Sequence, residues 1–143
     1  MMNMLAMKSA LDEYKQVGVQ GGIEHASPHR LIQMLMEGAL DKISIAIGSL
    51  KRGEVAKKGE NIGLAMSIID GLRASLDKSI ENELVTNLDA LYEYMSSRLL
   101  EANLKNDADM LTEVADLLKE VKAGWDGIAD EAAQIEAARN AAE

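Results

Sequence analysis

The stretch Ser27-Pro28-His29-Arg30-Leu31-Ile32-Gln33-Met34-Leu35-Met36-Glu37-Gly38-Ala39-Leu40-Asp41-Lys42-Ile43-Ser44-Ile45-Ala46-Ile47-Gly48-Ser49-Leu50-Lys51-Arg52-Gly53 decides the fold class. Serine followed by proline is a helix start: the serine oxygen can accept an orphan backbone N–H, and proline at the first helical position gives up a donor that has no partner there. At 100° per residue Ile32, Leu35, Met36, Ala39, Leu40, Ile43, Ala46, Ile47 and Leu50 share one broad arc. Arg30, Gln33, Glu37, Asp41 and Ser44 lie opposite, so the helix turns one side to a core. Gly53 supplies a residue free to adopt the left-handed conformation and ends it.

Working outward, the same period predicts three more long helices. One runs from about Glu54 to Asp77 on a stripe of Val55, Ile62, Ala65, Met66, Ile69, Leu72 and Leu76. A third starts near Asn82-Glu83 and reaches about Asn103 on Leu84, Leu88, Leu91, Met95, Leu99 and Ala102. Asn106 is read as the cap of a fourth, with Asp107 and Asp109 favourable in its first turn and Met110, Val114, Leu117, Val121, Trp125 and Ile128 on its stripe. No alternating strand pattern occurs. Connections of about two to six residues suit antiparallel neighbours. The expected fold is all-α, an antiparallel up-and-down four-helix bundle over 27–128. Residues 1–26 form an N-terminal cap segment and loop, with a short helix in 1–16 and a glycine-rich loop at 17–22. Residues 129–143 form an acidic Ala/Glu-rich tail.

Composition narrows the function. A chain of 143 residues favours one domain. There are no cysteines, which removes disulfides and thiolate metal sites and fits a reducing cytoplasm. No secretory signal and no apolar run of about 18 residues is present, so a cytoplasmic protein without membrane insertion is expected. The net charge of −9 argues against nucleic acid and anionic lipid, both of which need clustered cations. Lys51-Arg52 and Lys57-Lys58 flank Gly53 and read as a solvated turn. There is no phenylalanine, and four of the nine methionines fall within the first seven residues.

No chemistry is legible. Neither histidine follows a Glu at the Glu-x-x-His spacing of di-metal bundles, and Pro28 separates His25 from His29. Both read as exposed. No phosphate-binding glycine motif occurs, and the carboxylates sit at solvent-face positions. Not an enzyme, no cofactor and no metal is the expectation.

The helix surfaces carry the unexplained residues. Leu31, Met34 and Ile45 fall outside the first helix's main arc, on the side of Gly38. Leu64 and Ile68 do so on the second, beside Gly71 and Ser75. Glycine inside a helix costs about 1 kcal/mol against alanine, so Gly38, Gly48, Gly63 and Gly71 ask for a return, such as close approach of another helix. Two readings follow. The strips are buried by the N-terminal segment or other bundle helices, or they form an open groove for a partner's amphipathic helix, with residues 1–20 as a displaceable lid.

These residues resemble a known family. Tyr14, the run from Ala26 to Leu40, Lys58-Gly59-Glu60, Ile68-Ile69 with Gly71-Leu72, Asn87-Leu88 with Leu91-Tyr92 and Tyr94-Met95, Ala102-Asn103 with Asn106-Asp107, and Trp125 with Ile128 together look like FliS, the flagellin export chaperone family. The resemblance spans about residues 14–128. It implies a cytoplasmic helical bundle with an N-terminal cap. It implies binding of the disordered C-terminal region of flagellin, prevention of premature polymerisation and delivery to the flagellar type III export apparatus. Contact with the flagellar anti-sigma factor and an export-gate component also belongs to what it implies.

Carried over, Tyr14, Ser27, Pro28 and His29 mark the cap and the helix start. Leu31, Met34, Gly38, Ile45, Leu64, Ile68 and Gly71 are the partner-binding candidates from the helical wheel. Ile45→Asp and Ile68→Asp are then expected to abolish client binding with helicity intact, unless both residues belong to the core. Two departures stand out: Met36 occupies a position often aromatic in the family, and the tail after Ile128 lies outside the shared pattern. The alternative is a self-associating helical structural or regulatory protein.

Overall fold

The computed structural model describes residues 26–79 and 81–142. Tyr14, His25 and the cap segment lie outside them. Among the described residues there are five helices and no strand: α1 (Pro28–Lys51), α2 (Val55–Ala74), α3 (Glu83–Lys105), α4 (Ala108–Gly127) and α5 (Ala129–Ala142). α1 packs on α2 and α4, α2 on α3, and α3 on α4, which closes a four-membered ring of sequence neighbours. That ring is the up-and-down bundle.

The helix ends follow from local chemistry. Ser27 Oγ accepts from Arg30 N at 3.1 Å, with Pro28 behind it in the first turn. Gly53 ends α1 at φ +76°, a region that side chains with a Cβ avoid. Asn106 is the C-cap of α3, not the N-cap of α4: its φ is +51°, a left-handed conformation that Asn tolerates. Asp107 caps α4, accepting from Asp109 N at 2.9 Å and Met110 N at 3.2 Å. α2 stops at Ala74, short of Asp77, because Ser75 turns its hydroxyl back onto Leu72 O at 2.6 Å. Residues 75–82 therefore form a longer connection than expected.

The core holds Leu35, Met36, Ile43, Ile62, Ile68, Ile69, Leu72, Met95, Leu99, Leu111, Val114 and Leu118, each less than 2% exposed. Two helices are rotated from the expected stripes. On α3, Val85 and Tyr92 face inward while Leu84 is 55% exposed. On α4, Leu111, Val114, Ala115 and Leu118 are buried, and Met110, Leu117, Val121 and Trp125 flank them. Val55, placed on the α2 stripe, is 60% exposed in the first turn. α2 buries residues around most of its circumference, from Asn61 and Ile62 to Ile68, Ile69, Gly71 and Leu72. A helix covered on most sides has no single apolar stripe, and this is why a second strip stood out in the sequence.

Two polar assignments change. Lys58, expected in a solvated turn, is only 3% exposed. Its Nζ donates to Asn103 O at 3.0 Å and Asn106 Oδ1 at 2.6 Å. The ammonium thereby satisfies carbonyls at the C-terminus of α3, where the helix dipole favours a cation. The second is His29, described below. The tail forms α5, which buries no residue, lies beside the start of α1 and packs lightly on α1 and α4.

Candidate partner-binding cleft and its His29–Trp125 wall

The partner-binding candidates from the helical wheel do not form one open strip. Leu31, Met34, Gly38, Ile68 and Gly71 are buried, and Ile45 and Leu64 are half-buried. Met34 and Ile68 belong to the central cluster, with Ile68 fully covered. Full burial makes Ile68→Asp expected to attack the fold rather than leave helicity intact. An unpaired carboxylate in that position costs several kcal/mol or takes up a proton. Ser27 and Pro28 do start α1 as expected, and Tyr14 lies outside the described residues.

An open apolar surface lies elsewhere, at the end of the bundle where α1 and α3 begin and α2 and α4 finish. Ile32 and Met36 of α1 face Leu72, Ser75 and Leu76 at the end of α2 across a cleft of about 80 Å³. Leu84, Val85, Leu88 and Tyr92 of α3 form its far side, and Trp125 of α4 closes it. Leu84 stands on the rim, and the burial of Tyr92 pushes its phenol up to about 12. Among the described residues no helix crosses this end, where α2 and α3 are joined by the long connection after Ala74.

Two polar arrangements fix the walls. Arg73 Nε bonds Asp89 Oδ1 at 2.7 Å and Lys78 Nζ reaches the same oxygen at 3.0 Å, which ties α2 and its following loop to α3. Arg73 first, then Lys78, holds the Asp89 carboxyl below its ordinary range. On the other side the His29 and Trp125 rings stack with centroids 4.6 Å apart and planes 8° from parallel. The indole N–H of Trp125 donates to His29 O at 2.9 Å. One residue along, Asp126 accepts from Gln33 Nε2 at 2.7 Å and pairs with Lys122 at 2.7 Å. The C-terminus of α4 is thus fastened to the first two turns of α1.

His29 was expected to be exposed. Instead the residue is half-buried, both ring nitrogens are shielded, and neither has a hydrogen-bond partner among the described residues. Burial lowers its pKa, with the Asp126 carboxylate opposing the shift.

A second, wider furrow of about 460 Å³ runs between α1 and α4. Leu40, Ile47 and Ala115 form its apolar floor, with Glu37, Asp41, Asp116 and Lys119 along it. Among the described residues no three His, Cys, Asp or Glu side chains come together as a metal site, and no helix is long and apolar enough to cross a membrane.

Sequence reasoning placed Leu84 and Trp125 on core stripes because they keep register with Leu88 and Val121. Their position at helix ends, next to the longest connection, is the signal that separates them from the core.

The cleft is thus a mainly apolar feature at one end of a helical bundle. A family model described as flagellar protein FliS matches residues 10–132. The chain belongs to the FliS family. Flagellar secretion chaperone FliSB of Pseudomonas aeruginosa is 51% identical over 125 residues, which is 87% of this chain and 98% of the relative. Flagellar secretion chaperone FliS of Salmonella typhimurium is 44% identical over 125 residues, 87% of this chain and 93% of the relative. The Vibrio cholerae chaperone of the same name is 37% identical over 132 residues, 92% and 97% of the two chains. FliS is thus a family of flagellar secretion chaperones. The family match ends at 132, inside α5, so most of the tail helix lies beyond it.

Proposed function

We propose that this protein is a cytoplasmic, non-enzymatic chaperone that binds the disordered C-terminal region of flagellin, prevents its premature polymerisation and delivers it to the flagellar type III export apparatus. The observation that carries the reading is the apolar cleft at one end of a FliS-family bundle. A flagellar subunit awaiting export exposes an apolar, assembly-prone terminus. A cleft walled by Leu84, Leu88, Met36 and Trp125 can cover apolar anchors of such a segment as it folds into helix, and the client's ordering entropy is the cost. The furrow between α1 and α4 offers a continuation for a helix with basic residues beside its apolar side. Met34, Leu31, Ile45, Leu64, Gly38, Gly71 and Ile68 are proposed to support these surfaces from beneath or to meet the client where half-buried, with Tyr14 in the cap. The flagellar anti-sigma factor and an export-gate component are proposed as further partners.

Calorimetric titration with the C-terminal segment of flagellin tests the reading. Tight one-to-one binding with a large negative heat-capacity change is expected. Self-association has one observation in its favour: Leu100 and Leu104, one turn apart on α3, are 49% and 76% exposed. Sedimentation showing a tight client-independent oligomer, together with absent client binding, would favour that alternative.

A further inference from the structure

Trp125 is shared between two features. It forms the α4 wall of the apolar cleft, and it stacks on His29 while donating its indole N–H to the His29 carbonyl at 2.9 Å. Among the described residues no hydrogen bond holds the imidazole itself, since Nδ1 and Nε2 are both shielded and unpartnered there. A neutral imidazole carries one N–H and an imidazolium carries two. Protonation here therefore adds a second donor without an acceptor among the described residues, and a charge on nitrogens that the fold shields.

The surrounding charges do not supply what is missing. On α1, Arg30 is paired with Glu37 at 3.0 Å. On α4, Asp126 is already shared between Lys122 and Gln33. On α5, Glu136 lines the groove beside His29 and lies 3.9 Å from Arg139. Asp126 and the indole face both favour imidazolium, and desolvation outweighs the carboxylate.

We propose that the His29–Trp125 stack is a proton-sensitive latch. With His29 neutral it holds Trp125 in place as a wall of the cleft, and protonation of His29 releases Trp125 and opens that wall. The latched state binds fewer protons than the released one, so it is favoured above the ordinary histidine range and lost as pH falls through the lowered value. The consequence for a client rests on the proposed function: a partner packed on latched Trp125 favours neutral His29, and acid weakens its binding by the same linkage.

The test begins with the free full-length protein. Trp125 is the only tryptophan in the chain, so its emission reports the latch alone. Between about pH 8 and pH 5, a range chosen around the ordinary histidine value, a red shift with one-proton character is expected, its midpoint below 6.5. Helicity should stay constant. His29→Gln should remove the transition, His25→Gln should keep it, and Asp126→Asn should move it to lower pH. Flat emission in the wild type, or the same transition in His29→Gln, would overturn the latch. If His29→Gln does not fold, the wild-type imidazole proton resonances decide: a His29 midpoint at or above 6.5 overturns it.

Titrating the flagellin C-terminal segment at both ends of the range separates the two proposals. Weaker binding in acid, lost in His29→Gln, supports the link. A fluorescence transition with unchanged client affinity overturns the link to the cleft. No binding at any pH overturns the proposed function and leaves the latch standing on its fluorescence.

Discussion

The two ends of the bundle are built from the same four helices and finish differently. At one end, Arg52–Glu54 joins α1 to α2 and Asn106–Asp107 joins α3 to α4. There Lys58 binds the end of α3 through Asn103 and Asn106, and Asp107 caps α4. Short turns and the Lys58 ammonium hold the helices together here, and Gly59 sits beside Asn103 with a Cβ position 3.7 Å from its Oδ1. At the other end the 75–82 connection is long, the facing side chains are apolar, and Trp125 is fastened to α1 in place of a turn. The difference teaches where this bundle can keep apolar surface among the described residues: at the end whose closure is left to side chains.

The comparison can be broken by mutation. The largest expected effect belongs to neither end. Ile68→Asp, at the fully buried centre, should lower stability by about 4 kcal/mol or more and give a poorly folded chain by circular dichroism. Ile45→Asp, at a half-buried position, should remain helical, and equal unfolding of the two would show that Ile45 is as central as Ile68. At the polar end, Lys58→Met leaves the Asn103 carbonyl and Asn106 side chain without their donor. A loss of about 1–3 kcal/mol in urea unfolding is expected, with client affinity preserved. At the apolar end, Leu84→Asp should do the reverse. It should leave stability within about 0.5 kcal/mol and weaken flagellin binding by roughly tenfold or more, about 1.4 kcal/mol.

The smallest effect concerns acid. The Asp89 carboxyl is lowered by Arg73 and Lys78, so its contribution is present above the ordinary carboxylate range and fades as pH falls through the lowered value. Asp89→Asn should therefore reduce stability near neutrality slightly and flatten the acid limb of the unfolding curve. An unchanged acid limb would remove Asp89 from the account.

Much of the fold was legible because helix starts and stops are local. Ser27-Pro28 and Gly53 set α1 to within a residue, and Asn82 accepts from Leu84 N at 2.8 Å where the third helix was expected to begin. What was not legible depends on partners far along the chain. Lys57-Lys58 beside a glycine reads as solvated, and only the Asn103–Asn106 turn, 45 and 48 residues later, makes Lys58 a buried donor. The inward side of α4 was set one residue off because Met110, Leu117, Val121 and Trp125 match the helical period as well as Leu111 and Leu118 do. The wheel marked residues on α2's second side as spare, and burial around most of that helix covers Ile68 and Gly71. The proposed cleft is lined by residues that keep core register and lie past the last full layer of the core, which periodicity cannot distinguish.

The central claim is that a client seats at the apolar end. Hydrogen exchange read by mass spectrometry, with and without the C-terminal segment of flagellin, tests it directly. The account predicts added protection at the end of α2, the first turns of α1 and α3, and the C-terminus of α4 around Trp125, with the Lys58–Asn106 end unchanged. Protection confined to the Lys58–Asn106 end, with residues 72–92 unaffected, would contradict it.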